Sequence, residues 1–122
     1  PYQLTEGPYC TVIGIWLKAL RENRALTVYG DGEQRRDFTH VEDIVDALIR
    51  IKNRNAWGYE FELGRGVNFS LNEIVSFLKA TPNYQPKRPG EARVTLNTDT
   101  KAKEILDWEA KINLEDYLAS YL

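Results

Sequence analysis

One cysteine, one histidine and no methionine occur in these 122 residues. The lone Cys10 excludes an internal disulfide, and with His40 as the single histidine neither a zinc cluster nor a secreted disulfide scaffold fits. No apolar run approaches the ~18 residues of a membrane span, and no signal peptide opens the chain. A cytoplasmic location without a membrane partner is therefore expected. A surplus of positive charge is missing too: 16 basic residues face 18 acidic ones, a formal charge of -2. A general nucleic-acid binder would be basic, so no nucleic-acid partner is expected, although a local anion site is still allowed. No acid pair or Ser/Cys–His set marks a hydrolase, and there are no internal repeats, low-complexity tracts or interdomain linkers. What remains is an ordinary globular composition, 43% apolar and 28% charged, enough for one domain with a modest core. The chain opens on Pro1, the expectation for a trimmed piece of a longer protein.

The most informative stretch is Leu26 to Ile51. Leu26-Thr27-Val28-Tyr29 reads as a short strand. Gly30-Asp31-Gly32 breaks it, since glycine reaches positive φ without strain. Adjacent Arg35 and Arg36 precede a second short strand, expected at Asp37-Phe38-Thr39. Thr39 and Glu42 have capping-box spacing. Val41, Ile44, Val45, Leu48 and Ile49 then recur at helical spacing, for a helix to about Asn53. Arginines at the mouth of a turn, between a strand and a helix start, suit a phosphate or another anion. A pair of solvated loop arginines is the alternative. His40, Asp37, Glu42 and Asp43 read as structural, in capping or dipole roles.

The flanks follow the same rules. Ile13, Trp16, Leu17 and Leu20 form the core stripe of a helix from about Thr11 to Asn23, with Cys10 a structural residue at its start. Tyr59 to Leu63 alternates. Ser70 and Glu73 form a second capping box, opening a helix to about Ala80. Pro82, Pro86 and Pro89 keep Thr81–Gly90 from being helical throughout. Arg93 to Leu96 suits a short strand. Asp99 or Thr100 caps a helix carrying Ala102, Ile105 and Leu106. Asp107 tolerates the left-handed turn that ends it, and Asn113 caps a last helix.

Together, Tyr29-Gly-Asp-Gly-Glu-Gln-Arg-Arg-Asp-Phe38, the helix start after it, Gly64-Arg-Gly66, Lys87-Arg-Pro-Gly-Glu91 and Leu106-Asp-Trp108 resemble one family. It is the C-terminal, substrate-binding region of the NAD-dependent nucleotide-sugar epimerases and dehydratases, the extended short-chain dehydrogenases. The likeness runs through nearly all 122 residues. It implies an α/β fold, with residues 1–122 the small C-terminal substrate-binding domain of an extended Rossmann-type enzyme, lacking the dinucleotide-binding domain. Departures are Glu62 for the usual asparagine, Asp107 for glycine, and Tyr2 where many relatives have arginine.

The resemblance also implies roles. Arg36 and Arg88 would bind the diphosphate of a UDP-, GDP- or dTDP-sugar, since planar guanidinium groups match phosphate oxygens. Glu91 would accept from the ribose hydroxyls. Thr27, Val28 and Tyr29 would form the strand edge that meets the base, with an aromatic packing on it. The alternative is a solvated Arg88–Glu91 pair and a core Tyr29. NAD(P) would be held upstream in the parent, by a glycine motif and a Tyr-x-x-x-Lys pair that this chain lacks. No catalytic, cofactor-binding or metal-binding residue is therefore expected here, and no turnover by the isolated chain. An apolar patch, left by the missing cofactor domain, is expected near Pro1–Pro8 and Gly64–Gly66, where a homodimer would hide it. The competing readings are a stand-alone, non-catalytic nucleotide- or protein-binding module, and an unrelated α/β domain in which Arg36, Arg88 and Glu91 do not converge.

Overall fold

The computed structural model describes residue 1 and residues 3–122; the departure at Tyr2 lies outside the described residues. Helix α1 (Val12–Arg21) buries Ile13, Trp16, Leu17 and Ala19 and carries Lys18 and Arg21 in its last turn, where cations offset the helix dipole. Strand β1 (Leu26–Tyr29) follows. Leu26 and Val28 are fully buried, while Thr27 and Tyr29 look outward, the period-two alternation of a half-buried strand.

The chain then forms β2 (Arg35–Asp37), α2 (Val41–Asn53), β3 (Asn68–Ser70) and α3 (Leu71–Phe77) before returning as β4 (Pro82–Gln85). β4 runs parallel to β1, from Leu26 opposite Pro82 to Tyr29 opposite Gln85. Pro82 is tolerated because it is the first residue of its strand. β2 and β3 are antiparallel, with Arg36 opposite Phe69. Helices α4 (Lys101–Leu106) and α5 (Leu114–Ala119) complete the chain. One apolar cluster joins α1, β1, α3 and α5 around Trp16, Ile74 and Leu118. A second joins α2 and α4 around Ala47, Leu106 and Trp108.

Several sequence expectations shift. The second strand is Arg35–Asp37 rather than Asp37–Thr39. Arg35 is held from both sides, by β3 and by the segment at Val94, and pairing ends where Asp37 turns to other work. The Asp37 carboxylate accepts the backbone N–H groups of Arg65, Gly66 and Asn97, pinning two distant loops to β2. α2 is capped by His40, not Thr39: His40 Nδ1 accepts from Glu42 N at 3.2 Å. α3 stops at Phe77 because Lys79 turns into positive φ to feed β4. β4 lies inside the proline-rich stretch. The Tyr59–Leu63 alternation appears as burial of Phe61 and Leu63 without strand pairing. Asn113 and the left-handed Asp107 are as the sequence predicts.

α2 also shows which of its faces is covered. Asp43 and Ala47 are buried, whereas Val41, Val45, Leu48 and Ile49 are about half exposed. Leu4 and Val67 are exposed near the two segments where an apolar patch is expected, but the longer apolar stripe lies on α2. Helical spacing defines an apolar face; it does not say whether this chain supplies the cover.

The Ser70 box has both reciprocal bonds: Ser70 Oγ accepts from Glu73 N, and Glu73 accepts from Ser70 N at 2.7 Å. That backbone donor, with the Arg35 guanidinium, holds the Glu73 carboxyl below its ordinary 4.5. A carboxyl lowered by folding stabilises above its unfolded value, and the contribution is lost as pH falls through the folded value. Glu73→Gln is therefore expected to be less stable than wild type at neutral pH, with the difference shrinking as the pH falls below 4.5 and through the folded value. Urea unfolding across pH checks this. Ser70→Ala is expected to lose about 1 kcal/mol at neutral pH.

Candidate functional site

The outward residues of β1 and the loop after β4 meet in one place. Trp16 Nε1 donates to Thr27 O at 2.9 Å, tying β1 to α1. Tyr29 ends the strand. Gly30 and Gly32 both take positive φ, so the chain doubles back and brings Gln34, Arg35 and Arg36 past the end of β1. A Cβ at Gly32 would land on the Asn72 carboxamide, which donates to Asp31 O and accepts from Tyr84 Oη. Gly32→Ala is therefore expected to cost about 1–3 kcal/mol through backbone strain and displacement of Asn72. Urea denaturation of the variant measures it.

Arg36 is largely covered and donates to the Arg35 carbonyl at 2.8 Å. Arg88 comes from the proline-rich loop and lies over the Tyr29 ring, 4.0 Å from its centroid, a cation–π stack. The two guanidinium groups approach the same atom, Glu91 Oε1, at 3.7 Å from Arg36 and 3.8 Å from Arg88. Those distances are too long for hydrogen bonds. Glu91 is thus a loosely held internal anion between two arginines.

Thr27, Tyr29, Arg36, Arg88 and Glu91 line a cavity of ≈ 260 Å³. A neighbouring cavity of ≈ 350 Å³ shares Tyr29, Gln34 and Glu91 and adds Lys87 and Arg93. Val28 stands apart: its side chain is fully buried in the core, leaving only backbone to offer the site. Asp31 borders the second cavity, gripped by both Arg93 terminal nitrogens at 2.7 and 3.0 Å. Chiefly through that guanidinium, its carboxyl is lowered to about 2, so it stays ionised and is neutralised locally. Sequence reasoning missed Gln34, Lys87 and Cys10 as wall residues. Gln34 stands inside the quoted motif, but its direction depends on the turn.

A more apolar cavity of ≈ 390 Å³ lies among Gln3, Phe38, His40, Ile44 and Tyr117. It has no lysine or arginine to meet a phosphate, and Tyr117 is pushed up to about 12, first by burial and then by its hydrogen bond with Tyr121. His40 is engaged there as the α2 cap. Among the described residues, no group of three or more His, Cys, Asp and Glu side chains is placed to hold a metal, and no helix is long and apolar enough to cross a membrane.

This α/β arrangement is that of the extended short-chain dehydrogenases acting on nucleotide sugars. It superimposes on the UDP-glucose 4-epimerase of Thermotoga maritima, solved with UDP-glucose, with a TM-score of 0.85 and 31% identity over 98% of this chain and 40% of that one. The chain belongs to the family described as GDP-mannose 4,6 dehydratase, whose family model matches residues 1–121. Among curated relatives, the UDP-glucose 4-epimerase of Mycolicibacterium smegmatis is 31% identical over 88% of this chain and 36% of its own length. A variant UDP-glucuronic acid 4-epimerase from Bacillus cereus, solved with a fluorinated UDP-glucuronic acid and NAD, has a TM-score of 0.81 and 27% identity over 91% of this chain and 38% of that one. The chain thus spans little more than a third of these proteins.

Proposed function

We propose that residues 1–122 are the substrate-binding domain of an NAD-dependent nucleotide-sugar epimerase or dehydratase and hold the nucleotide diphosphate. The observation that carries this is the meeting of Arg36 and Arg88, from distant segments, on one Glu91 oxygen beside Tyr29. Two phosphates need fixed cationic donors, and guanidinium groups stay charged at any cellular pH. A diphosphate displaces the Glu91 carboxylate from the arginines, freeing it to accept from the ribose hydroxyls. Tyr29 offers a face to the base, and the backbone of Thr27–Tyr29 an edge. The relatives named above with bound UDP-sugars support this choice of ligand class.

We read no dinucleotide site in the turn that follows β1. The glycine turn after β1 opens into strand β2 rather than into a helix start that could receive a pyrophosphate. In this reading NAD and the proton chemistry belong to a part of the parent outside these residues, and that part covers the apolar stripe on α2. The isolated chain is expected to turn over no nucleotide sugar when NAD is supplied.

Calorimetric titration tests the reading. UDP is expected to bind the chain weakly, to weaken further with salt as exposed arginines are screened, and to bind at least ~10-fold more tightly than uridine, as loss of charge-assisted bonds requires. Equal affinity for uridine and UDP would overturn it.

A further inference from the structure

The loop of residues 86–92 carries Arg88 and Glu91 and is exposed apart from the half-buried Glu91. At one end it leaves β4, where Gln85 O accepts from Gly30 N at 2.8 Å. At the other, Arg93 O accepts from Arg35 N at 2.8 Å, and Thr95 N donates to Arg35 O at 3.0 Å. Between those anchors it leans on the Arg88–Tyr29 stack and on the long Glu91 contacts. Its foot has a shorter tie, the two-bond grip of Arg93 on Asp31. Asp31 is itself a fixed post. Its carboxylate accepts from Glu33 N at 2.9 Å, and its carbonyl accepts from Asn72 Nδ2 at 3.0 Å. Asn72 N also donates to Gly32 O at 3.1 Å, so the turn is seated on the start of α3. Both side chains of the pair are more than half exposed, and such pairs contribute little to global stability.

We propose that the Asp31–Arg93 pair is a brace that positions the loop bearing Arg88 and Glu91 for the nucleotide, with Arg93 acting through Asp31 and not as a third phosphate ligand. This rests on the nucleotide reading above. In that reading an arriving diphosphate takes Arg36 and Arg88 from Glu91, so the loop loses its long contacts at the moment it must hold still. The brace takes no part in that exchange. A bidentate arginine–carboxylate pair fixes direction as well as distance, so the foot of the loop beside Glu91 keeps its place. A loop in position for only a fraction of the time lowers the apparent affinity by that fraction, and the brace raises it. Arg93 does line the cavity that holds Lys87 and Glu91, but both of its terminal nitrogens are taken by Asp31. Charge alone predicts the opposite role for Asp31. A carboxylate beside an anion site repels the anion, and removing it should tighten binding.

UDP titrations of the 122-residue chain separate the two roles. Asp31→Asn keeps an oxygen for Glu33 N but loses one acceptor of the grip. It is expected to weaken UDP binding about threefold, although a negative charge has been removed. Arg93→Lys keeps the charge but not the planar fork, and is expected to weaken binding by a similar factor. In an Arg93→Gln chain, adding Asp31→Asn is expected to cause no further loss, because the pair acts as a unit. Urea midpoints should barely move in any of these variants. UDP binding that is unchanged or tighter in Asp31→Asn would overturn the brace and leave the nucleotide reading standing. So would full affinity in Arg93→Lys, losses that add in the double variant, or a urea midpoint that falls along with the affinity. Failure of UDP to bind the wild-type chain would overturn the nucleotide reading and the brace with it.

Discussion

Arg36→Ala and Arg88→Ala are each expected to weaken UDP binding roughly tenfold or more, on the order of 1.5–3 kcal/mol for a charge-assisted hydrogen bond. The two losses should differ in kind. Arg36 is largely covered and braced by the Arg35 carbonyl, so its geometry is set before a ligand arrives. Arg88 is mostly exposed, but its stack on Tyr29 orders it. Removing either also leaves Glu91 with one partner instead of two, so the effects should not add. Lysine at either position keeps the charge but not the planar fork, and should recover only part of the affinity. In a full-length enzyme of the proposed kind the same alanine variants would be expected to weaken nucleotide-sugar binding much more than NAD binding. Equilibrium titrations of both ligands measure this, and equal losses would point to a folding defect.

Asp43→Ala is expected to lose roughly 2–4 kcal/mol of stability, since an orphaned buried donor costs about 1–3 kcal/mol. Asp43 is 6% exposed. Its two carboxylate oxygens accept from Lys111 N and Ile112 N, both at 3.1 Å, and its backbone carbonyl accepts Trp108 Nε1 at 2.8 Å. One residue of α2 thus anchors the whole segment between α4 and α5. Alanine strands both backbone N–H groups, whereas asparagine keeps one acceptor and should fall between. Urea midpoints with an unchanged slope against denaturant would register the loss. UDP affinity of the folded variant should be unaltered, since Asp43 borders neither charged cavity.

Asp43 also shows how far local sequence carries. Its place in the first turn of α2 marks it as a dipole partner, and it is one; its bonds to Lys111 and Ile112 depend on the tertiary path. The same division runs through the fold. β1, the Ser70 box, the Asn113 cap and the left-handed Asp107 are set by neighbours in sequence, and all are legible there. β4 is not, because Pro82 and Pro86 read as breakers and only the parallel pairing with β1 makes the segment a strand. The shift of β2 by two residues has the same cause, partners at Ser70 and Val94 that local pattern does not reveal. As for the site, nothing near Arg36 or Arg88 requires them to meet. Their convergence was implied by family resemblance, and the fold places them together on Glu91. What the resemblance does not imply is that Glu91 stands between the arginines.

The most direct test uses Cys10, the chain's one cysteine, which is partly exposed and lines the same cavity as Arg36, Arg88 and Tyr29. The rate at which iodoacetamide alkylates it reports whether that cavity is filled. With UDP at a concentration shown by titration to saturate the chain, alkylation should slow severalfold, uridine at the same concentration should slow it less, and the protection should disappear in Arg36→Ala and Arg88→Ala. An unchanged rate with UDP fully bound would place the nucleotide elsewhere on the molecule and contradict the assignment.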